Sequence, residues 1–191
     1  MISCIVLSAG ESRRFGSPKA LVPLGGKKAI KRIQQTLLDC AVVDEIIVVL
    51  GDEQELIRPH VFNHNKVRLV YNKDYKFGQT TSFQAGVASA GAFAQGFMLF
   101  PVDCPLIAAG TVEELVRLFN EKNPAILVPV HQSRRGHPPI FNVSLKKDIL
   151  DLPPEKGINT LFIGHPPMTV EVKDKGILKT FNTLEELGKI I

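Results

Sequence analysis

Short, nearly continuous apolar runs alternate along this chain with stretches of helical period, and that alternation restricts the fold more than any other feature. Ile5 to Leu7, Glu45 to Leu50, Val67 to Tyr71, Phe97 to Val102 and Ala125 to Pro129 are rich in Val, Ile, Leu and Phe. Runs that lack polar alternation suit strands covered on both faces, as in a parallel sheet flanked by helices. Between them, Ile30, Ile33, Leu37 and Leu38 recur at helical spacing, as do Val112, Leu115, Val116 and Phe119. Thr111, with Glu114 three residues on, reads as a capping box that opens the second of these helices. The expected architecture is α/β with a largely parallel sheet. With 191 residues, no Pro/Ser/Gly-rich linker and no internal repeat, a single domain is expected. After about residue 129 the pattern loosens into Gly- and Pro-rich loops, so about 1–129 and about 130–191 are expected to differ in duty.

Composition mainly excludes. With 45% hydrophobic and 22% charged residues the chain is neither disordered nor low in complexity. No stretch approaches the roughly 18 uninterrupted apolar residues of a membrane helix, so no membrane partner is expected. Met1 to Leu7 is apolar with no basic residues ahead of it, which reads as a buried strand rather than a signal peptide. Cys4, Cys40 and Cys104 are odd in number and lack metal-type spacing, as reduced thiols of a cytoplasmic protein would be. The net charge of +4 is small. Lys27-Lys28, Lys31-Arg32 and Lys146-Lys147 are scattered pairs without aromatic platforms, so no nucleic-acid partner is expected.

The most informative segment is Leu7-Ser8-Ala9-Gly10-Glu11-Ser12-Arg13-Arg14-Phe15-Gly16-Ser17-Pro18-Lys19, directly after the first expected strand. Open α/β sheets bind ligands at such strand ends. The small residues Ser8, Ala9 and Gly10 let backbone N–H groups approach an anion, and Arg14 and Lys19 add the charge that a triphosphate needs. Neither the dinucleotide G-x-G-x-x-G nor the Walker A pattern is present. Two glycines and three cations are equally compatible with a plain turn bearing solvated arginines.

The segment resembles the signature L-A-A-G-x-S-x-R-M-G-x-x-K of the nucleotidyltransferase family of molybdenum cofactor biosynthesis. Leu7, Ala9, Gly10, Ser12, Arg14, Gly16 and Lys19 meet it, with Ser8 for Ala or Gly and Phe15 for Met. The continuation Leu21-Val22-Pro23-Leu24-Gly25-Gly26-Lys27 is similar to the family's L-L-P-L-G-G-K. The resemblance implies a single NTP-transferase domain, a three-layer α/β fold whose Rossmann-like half binds nucleotide, as in nucleotide-diphospho-sugar transferases. Its last third would form the acceptor side.

Downstream, Pro101-Val102-Asp103-Cys104-Pro105-Leu106 closes an apolar strand with one carboxylate. A lone Asp there often only forms a turn. Two bracketing prolines, the strand-end position and the demand of a triphosphate for Mg²⁺ favour a ligand instead. The resemblance agrees, since the family carries a metal-binding Asp in P-V-D-M-P-L; Cys104, in place of Met, reads as packing. Asn72 through Gly86 resembles N-x-x-x-x-x-G-x-x-x-S-L-x-x-G, which implies nucleotide contacts from Asn72, Gly78 and Ser82, although Asn and Ser at these places also suit a strand end and a helix cap. Gly136-His137-Pro138-Pro139-Ile140-Phe141 is similar to the G-H-P-V-L-F of the cytidylyltransferase-like branch, which implies that His137 and Pro138 meet the acceptor; a loop histidine satisfied by the fold is the plainer alternative. Glu155 to Leu161 resembles G-D-x-G-A-R-x-L with Asn159 in the Arg position, and Leu178 to Leu187 resembles L-x-D-I-D-T-P-E-D-L with Thr180 and Asn182 replacing both aspartates. Asn182 can still offer a carbonyl oxygen to Mg²⁺, while Thr183 and Glu186 read as a capping box.

The implied activity is Mg²⁺-dependent transfer of a nucleoside monophosphate, from CTP ahead of GTP, to the phosphate of molybdopterin or Mo-molybdopterin. Arg14, Lys19 and Asp103 would be catalytic, and a molybdoenzyme or its chaperone would receive the product. A sugar phosphate or other phosphorylated metabolite as acceptor, or a non-catalytic cofactor-delivery role, stays open on the departures at Asn159, Thr180 and Asn182.

Overall fold

The computed structural model describes residues 1–12 and 15–190. From the N-terminus, β1 (Ile2–Ser8) leads through the first loop to a small hairpin of β2 (Pro23–Leu24) and β3 (Lys27–Lys28), and then to helix α1 (Ala29–Asp39). β4 (Glu45–Leu50), the short α2 (Gln54–Ile57), β5 (Val67–Tyr71), α3 (Gln79–Ser89), β6 (Gly96–Pro101) and α4 (Ala109–Lys122) follow. The remainder comprises β7 (Ile126–His131), β8 (Arg134–Arg135), β9 (Ile140–Asn142), α5 (Lys146–Leu150), α6 (Leu161–Gly164), β10 (Met168–Glu171) and α7 (Leu184–Ile190).

The main sheet has the order β10-β7-β9-β6-β1-β4-β5, with β8 paired to β7. β1 lies parallel to β4 and β6, and β4 to β5, while β9 runs antiparallel between β6 and β7. The chain thus winds outward from β1 through β4 to β5, then returns across α3 to β6 on the other side of β1. That reversal of direction opens a crevice beyond the carboxyl ends of β1 and β6.

The apolar runs are continuous because both faces of the sheet are covered. Cys4 and Val6 of β1, Ile46 and Val48 of β4, and Met98 and Phe100 of β6 pack toward Ile33 and Leu37 of α1 and Leu115 and Val116 of α4. Their neighbours Ile5, Ile47, Val49, Phe97 and Leu99 pack toward Phe83 and Val87 of α3. Helices on both faces make the three-layer α/β fold. β5 departs from the expectation: it is the sheet edge, and Leu69 and Tyr71 stay exposed.

The expected cap at Thr111 is corrected. The cap lies three residues earlier, at Ala108, whose methyl side chain has no oxygen to offer. Asp174 substitutes from a distant loop, its Oδ2 accepting from the Ala108 N–H and the Thr111 hydroxyl, both at 2.9 Å. The Thr183 box does form, the Glu186 N–H donating to Thr183 Oγ1, although the Glu186 carboxylate reaches the Asn182 N–H, one residue before the cap.

Candidate functional site

The crevice at the ends of β1 and β6 is a cavity of ≈ 490 Å³. Its floor is the end of β1. The Leu7 carbonyl accepts from the Val102 N–H, and the Ala9 carbonyl accepts from the Asp52 N–H, so the first loop is tied to the strand ends on either side. A Cβ at Gly51 would lie 2.6 Å from the Ala9 carbonyl oxygen, so glycine there lets the end of β4 press against this loop. Gly10 differs: a Cβ on it would meet nothing within 4 Å. Among the described residues no contact demands glycine at position 10, and Gly10 lines the cavity.

Ser12 organises the rest of the loop. Its left-handed backbone (φ 49°) turns the chain, and its carbonyl accepts from the Phe15 and Gly16 N–H groups. The Ser12 hydroxyl accepts from the backbone N–H of Lys19 at 3.2 Å. Phe15 then buries against Phe181 (ring centroids 5.5 Å apart), in a small separate core with Val22, Leu24 and Ala29. Through this core the C-terminal segment is held against the first loop, and residue 182 arrives beside residue 19.

Three side chains from remote parts of the sequence meet there. Lys19 Nζ donates to Asp103 Oδ2 at 3.2 Å and to Asn182 Oδ1 at 2.8 Å. The pair is largely desolvated, with side-chain exposures of 17% for Lys19 and 23% for Asp103. On the other side of Asp103, Cys104 is fully buried in the core, as a packing residue should be; burial first, and Asp103 second, raise its thiol well above the ordinary range.

Leu7, Ser8, Ala9, Gly10, Ser12, Lys19, Gly78, Ser82, Asp103 and Asn182, all expected at the site, line this cavity. Ser8 Oγ is buried and has no partner among the described residues. Gly78 has a φ of 110°, which only glycine adopts comfortably, just ahead of α3. Arg14 lies outside the described residues. Asn72 does not line the cavity. It is buried one layer behind, donating through Nδ2 to Thr81 Oγ1 and Ser82 Oγ, while its Oδ1 accepts from the Asp74 N–H. It thereby orients Ser82, which does line the cavity.

His137, Pro138 and Asn159 do not line the cavity either. The His137 N–H donates to the Ile177 carbonyl, and its ring is drawn inward, Nδ1 buried without a partner among the described residues. Burial lowers its pKa below the ordinary 6.5, and the charge of Asp103 partly opposes that shift. Pro138 is buried, and Asn159 is exposed on a short turn, folded over Gly157. Thr80 Oγ1 ties this turn to α3 through the Lys156 carbonyl at 2.6 Å.

Sequence reasoning missed Ile57, Tyr75, Lys76 and Gln79 on the cavity wall. The last three sit beside Gly78, so the motif around it carried a usable signal; Ile57 carried none. The Tyr75 hydroxyl lies 3.5 Å from Asp52 Oδ1, and its pKa is raised, by burial first and then by Asp52. Among the described residues no group of three or more His, Cys, Asp or Glu could hold a metal, and no helix is long and apolar enough to cross a membrane.

Residues 4–168 match the model of the MobA-like NTP transferase domain family. Nicotine blue oxidoreductase of Paenarthrobacter nicotinovorans is 24% identical over 201 residues, spanning 100% of this chain and 96% of that protein. The molybdenum cofactor cytidylyltransferase of Escherichia coli K12 is 22% identical, over 97% of this chain and 93% of the enzyme. Rv0371c of Mycobacterium tuberculosis H37Rv superposes with a TM-score of 0.85 at 22% identity, covering 99% of this chain and 97% of that one. A second structure of that protein, in complex with manganese, gives a TM-score of 0.81.

Proposed function

The chain belongs to the MobA-like NTP transferase domain family, and from that premise we propose that it moves a nucleoside monophosphate from CTP, with GTP the weaker donor, to the terminal phosphate of molybdopterin or its Mo-bound form. The observation that carries this reading is the meeting of Lys19, Asp103 and Asn182 at the mouth of the β1–β6 crevice.

In the reaction an acceptor phosphate oxygen forms a bond to the α-phosphorus, the bond from that phosphorus to the bridging oxygen breaks, and pyrophosphate leaves with the electron pair. The acceptor is already ionised near neutral pH, so the chain need not supply a general base. Its task is to position the reactants and neutralise charge. Ala9 and Gly10 line the cavity where the leaving phosphates would sit, and Lys19 and Arg14 would supply positive charge to them. The wall of Tyr75, Gly78 and Ser82 is left for the nucleoside.

The residues fit Mg²⁺. Asp103 Oδ2 and Asn182 Oδ1 are hard oxygen donors facing one shared position, now held by an ammonium group. One carboxylate and one carbonyl, with phosphate oxygens and water completing the shell, is a usual protein contribution to a Mg²⁺–nucleotide site. Bound there, Mg²⁺ would draw charge from the α-phosphate and align the acceptor oxygen. A neighbour in fold that binds manganese supports a divalent cation. The resemblance of Gly136 to Phe141 to the cytidylyltransferase-like branch supports CTP, and three buried free thiols support the reducing cytoplasm. A molybdoenzyme or its chaperone would then take the product.

The test is turnover of the purified chain with each nucleoside triphosphate, Mg²⁺ and molybdopterin, measuring pyrophosphate and the dinucleotide product. CTP should give the highest kcat/KM, and omission of Mg²⁺ should abolish product. Pyrophosphate release with sugar phosphates but not with the pterin would overturn the acceptor. One relative is named for a redox activity, so the assay also includes NADH and NADPH. Oxidation of either, without pyrophosphate from any triphosphate, would overturn the reaction class.

A further inference from the structure

We propose that Lys19 is the resident counter-ion of the divalent-cation position, so that Asp103 and Asn182 take up a metal ion only together with a nucleoside triphosphate. The inference rests on reading the cavity as a metal–nucleotide site and adds an order of binding to it.

Lys19 Nζ lies within hydrogen-bond distance of both candidate ligands at once, 3.2 Å from Asp103 Oδ2 and 2.8 Å from Asn182 Oδ1. An ammonium is a compact point charge with three donors and no acceptor, so it can satisfy both oxygens and exclude another cation from them. Among the described residues the cluster is electrically neutral: one carboxylate, one ammonium and one amide. A carboxylate at position 182 would leave it negative and attractive to a free dication. With Asn182 there, an arriving ion must first expel an ammonium from a largely desolvated pair, and it gains a single full charge in return.

A triphosphate changes that balance. It brings several negative charges into the cavity, giving the ammonium a new partner and the ion its remaining oxygen ligands. Lys19 can change partners without moving the loop. Its backbone N–H is fixed by the Ser12 hydroxyl, and only its four-carbon stem has to turn. Asp103 and Asn182 are released at the moment the phosphates arrive. Metal and nucleotide therefore raise each other's affinity by the same factor.

The experiment measures free Mn²⁺ by electron paramagnetic resonance over the whole purified chain without nucleotide. In parallel, equilibrium dialysis measures binding of α,β-methylene-CTP with and without Mn²⁺. Wild type alone should bind Mn²⁺ weakly. Removing the ammonium in Lys19→Met should tighten Mn²⁺ binding about tenfold, since a unit charge in direct contact is gone. Lys19→Gln gives a second neutral side chain should the first variant fold poorly. Lys76→Met removes a cavity-lining charge that no hydrogen bond joins to Asp103 or Asn182, and it should change Mn²⁺ affinity far less. In dialysis, Mn²⁺ should tighten the analogue on wild type at least about tenfold, and on the Lys19 variants much less.

Unchanged or weaker Mn²⁺ binding in both Lys19 variants would overturn the inference, as would an equal gain in Lys76→Met. The reading of the site is judged separately. It stands if the analogue binds wild type in a Mn²⁺-dependent way that Asp103→Asn abolishes, and it falls if neither analogue nor Mn²⁺ binds under any condition.

Discussion

The turn after β1 and the turn before β9 each set one side chain among glycine and proline, Lys19 in Gly16-Ser17-Pro18-Lys19 and His137 in Gly136-His137-Pro138. Both turns lie at the same end of the sheet, and His137 is close enough to feel the charge of Asp103. Only Lys19 reaches the cavity. The crevice opens between β1 and β6, where the winding reverses, whereas the β9 turn lies across β6 from it. There Ile177 takes up the space: its carbonyl binds the His137 N–H, and its side chain and carbonyl crowd any Cβ at Gly136. Neighbouring turns with the same composition thus receive different duties from their place relative to one reversal of strand order.

The largest expected effect tests that division directly. Asp103→Asn keeps the shape and removes the carboxylate, and should lower kcat/KM about a thousandfold while leaving the melting temperature close to wild type. Asn159→Ala, on a turn that does not line the cavity, should alter kcat/KM for the nucleotide less than about threefold. Comparable losses from the two in the same assay would break the comparison.

The C-terminal segment sharpens it further. Phe181 is fully buried against Phe15, and this contact holds Asn182 against the first loop. Phe181→Ala should cost about 3 kcal/mol in urea denaturation. Phe181→Leu, which keeps more of the packing, should cost about 1 kcal/mol and still raise KM for the nucleotide. A raised KM in the leucine variant separates a positioning effect from global unfolding, because that protein remains folded.

How much of this was legible follows from what each residue depends on. The strands were legible because a sheet covered on both faces imposes continuous apolarity, and Glu45–Leu50 and Val67–Tyr71 match their expected bounds. Gly10, Lys19 and Asp103 belong to turns that leave the ends of β1 and β6, so local sequence places them. Asn182 was legible as a candidate ligand, but its delivery to the site was not. That depends on an aromatic contact spanning most of the chain, between two positions where the sequence departs from the family signature. The surroundings of Asn72 and His137 were not legible for the same reason: their neighbours are set by tertiary packing, which motif spacing does not encode. Thr111 shows it on a smaller scale, because a carboxylate 63 residues away took over the cap.

Asp174 supplies the next prediction. Its carboxylate binds the Ala108 N–H, the Thr111 hydroxyl and the Gly176 N–H, joining α4 to the loop that carries Ile177. Asp174→Ala should cost about 1 kcal/mol in denaturant, as for a lost helix cap. It should also loosen the packing around His137, visible as a shift of the His137 ring resonances. A loss of stability with those resonances unmoved would separate the cap from the barrier that keeps His137 out of the cavity.

The smallest effect concerns His137 itself. Burial holds its folded-state pKa below 6.5, so between the folded and unfolded values the unfolded chain binds more protons than the folded one. Stability from this group is therefore complete above the unfolded value and falls as pH drops through the folded one. His137→Asn, which has no titrating ring, should flatten the acid limb of the stability curve below pH 6.5 and leave the slope above it unchanged. Nucleotide affinity above pH 6.5 should be equal in the two proteins, since the ring lies outside the cavity wall. A variant that loses nucleotide affinity there while keeping the wild-type acid limb would place the ring in the site after all, and the contrast between the two turns would fail at the residue on which it was drawn.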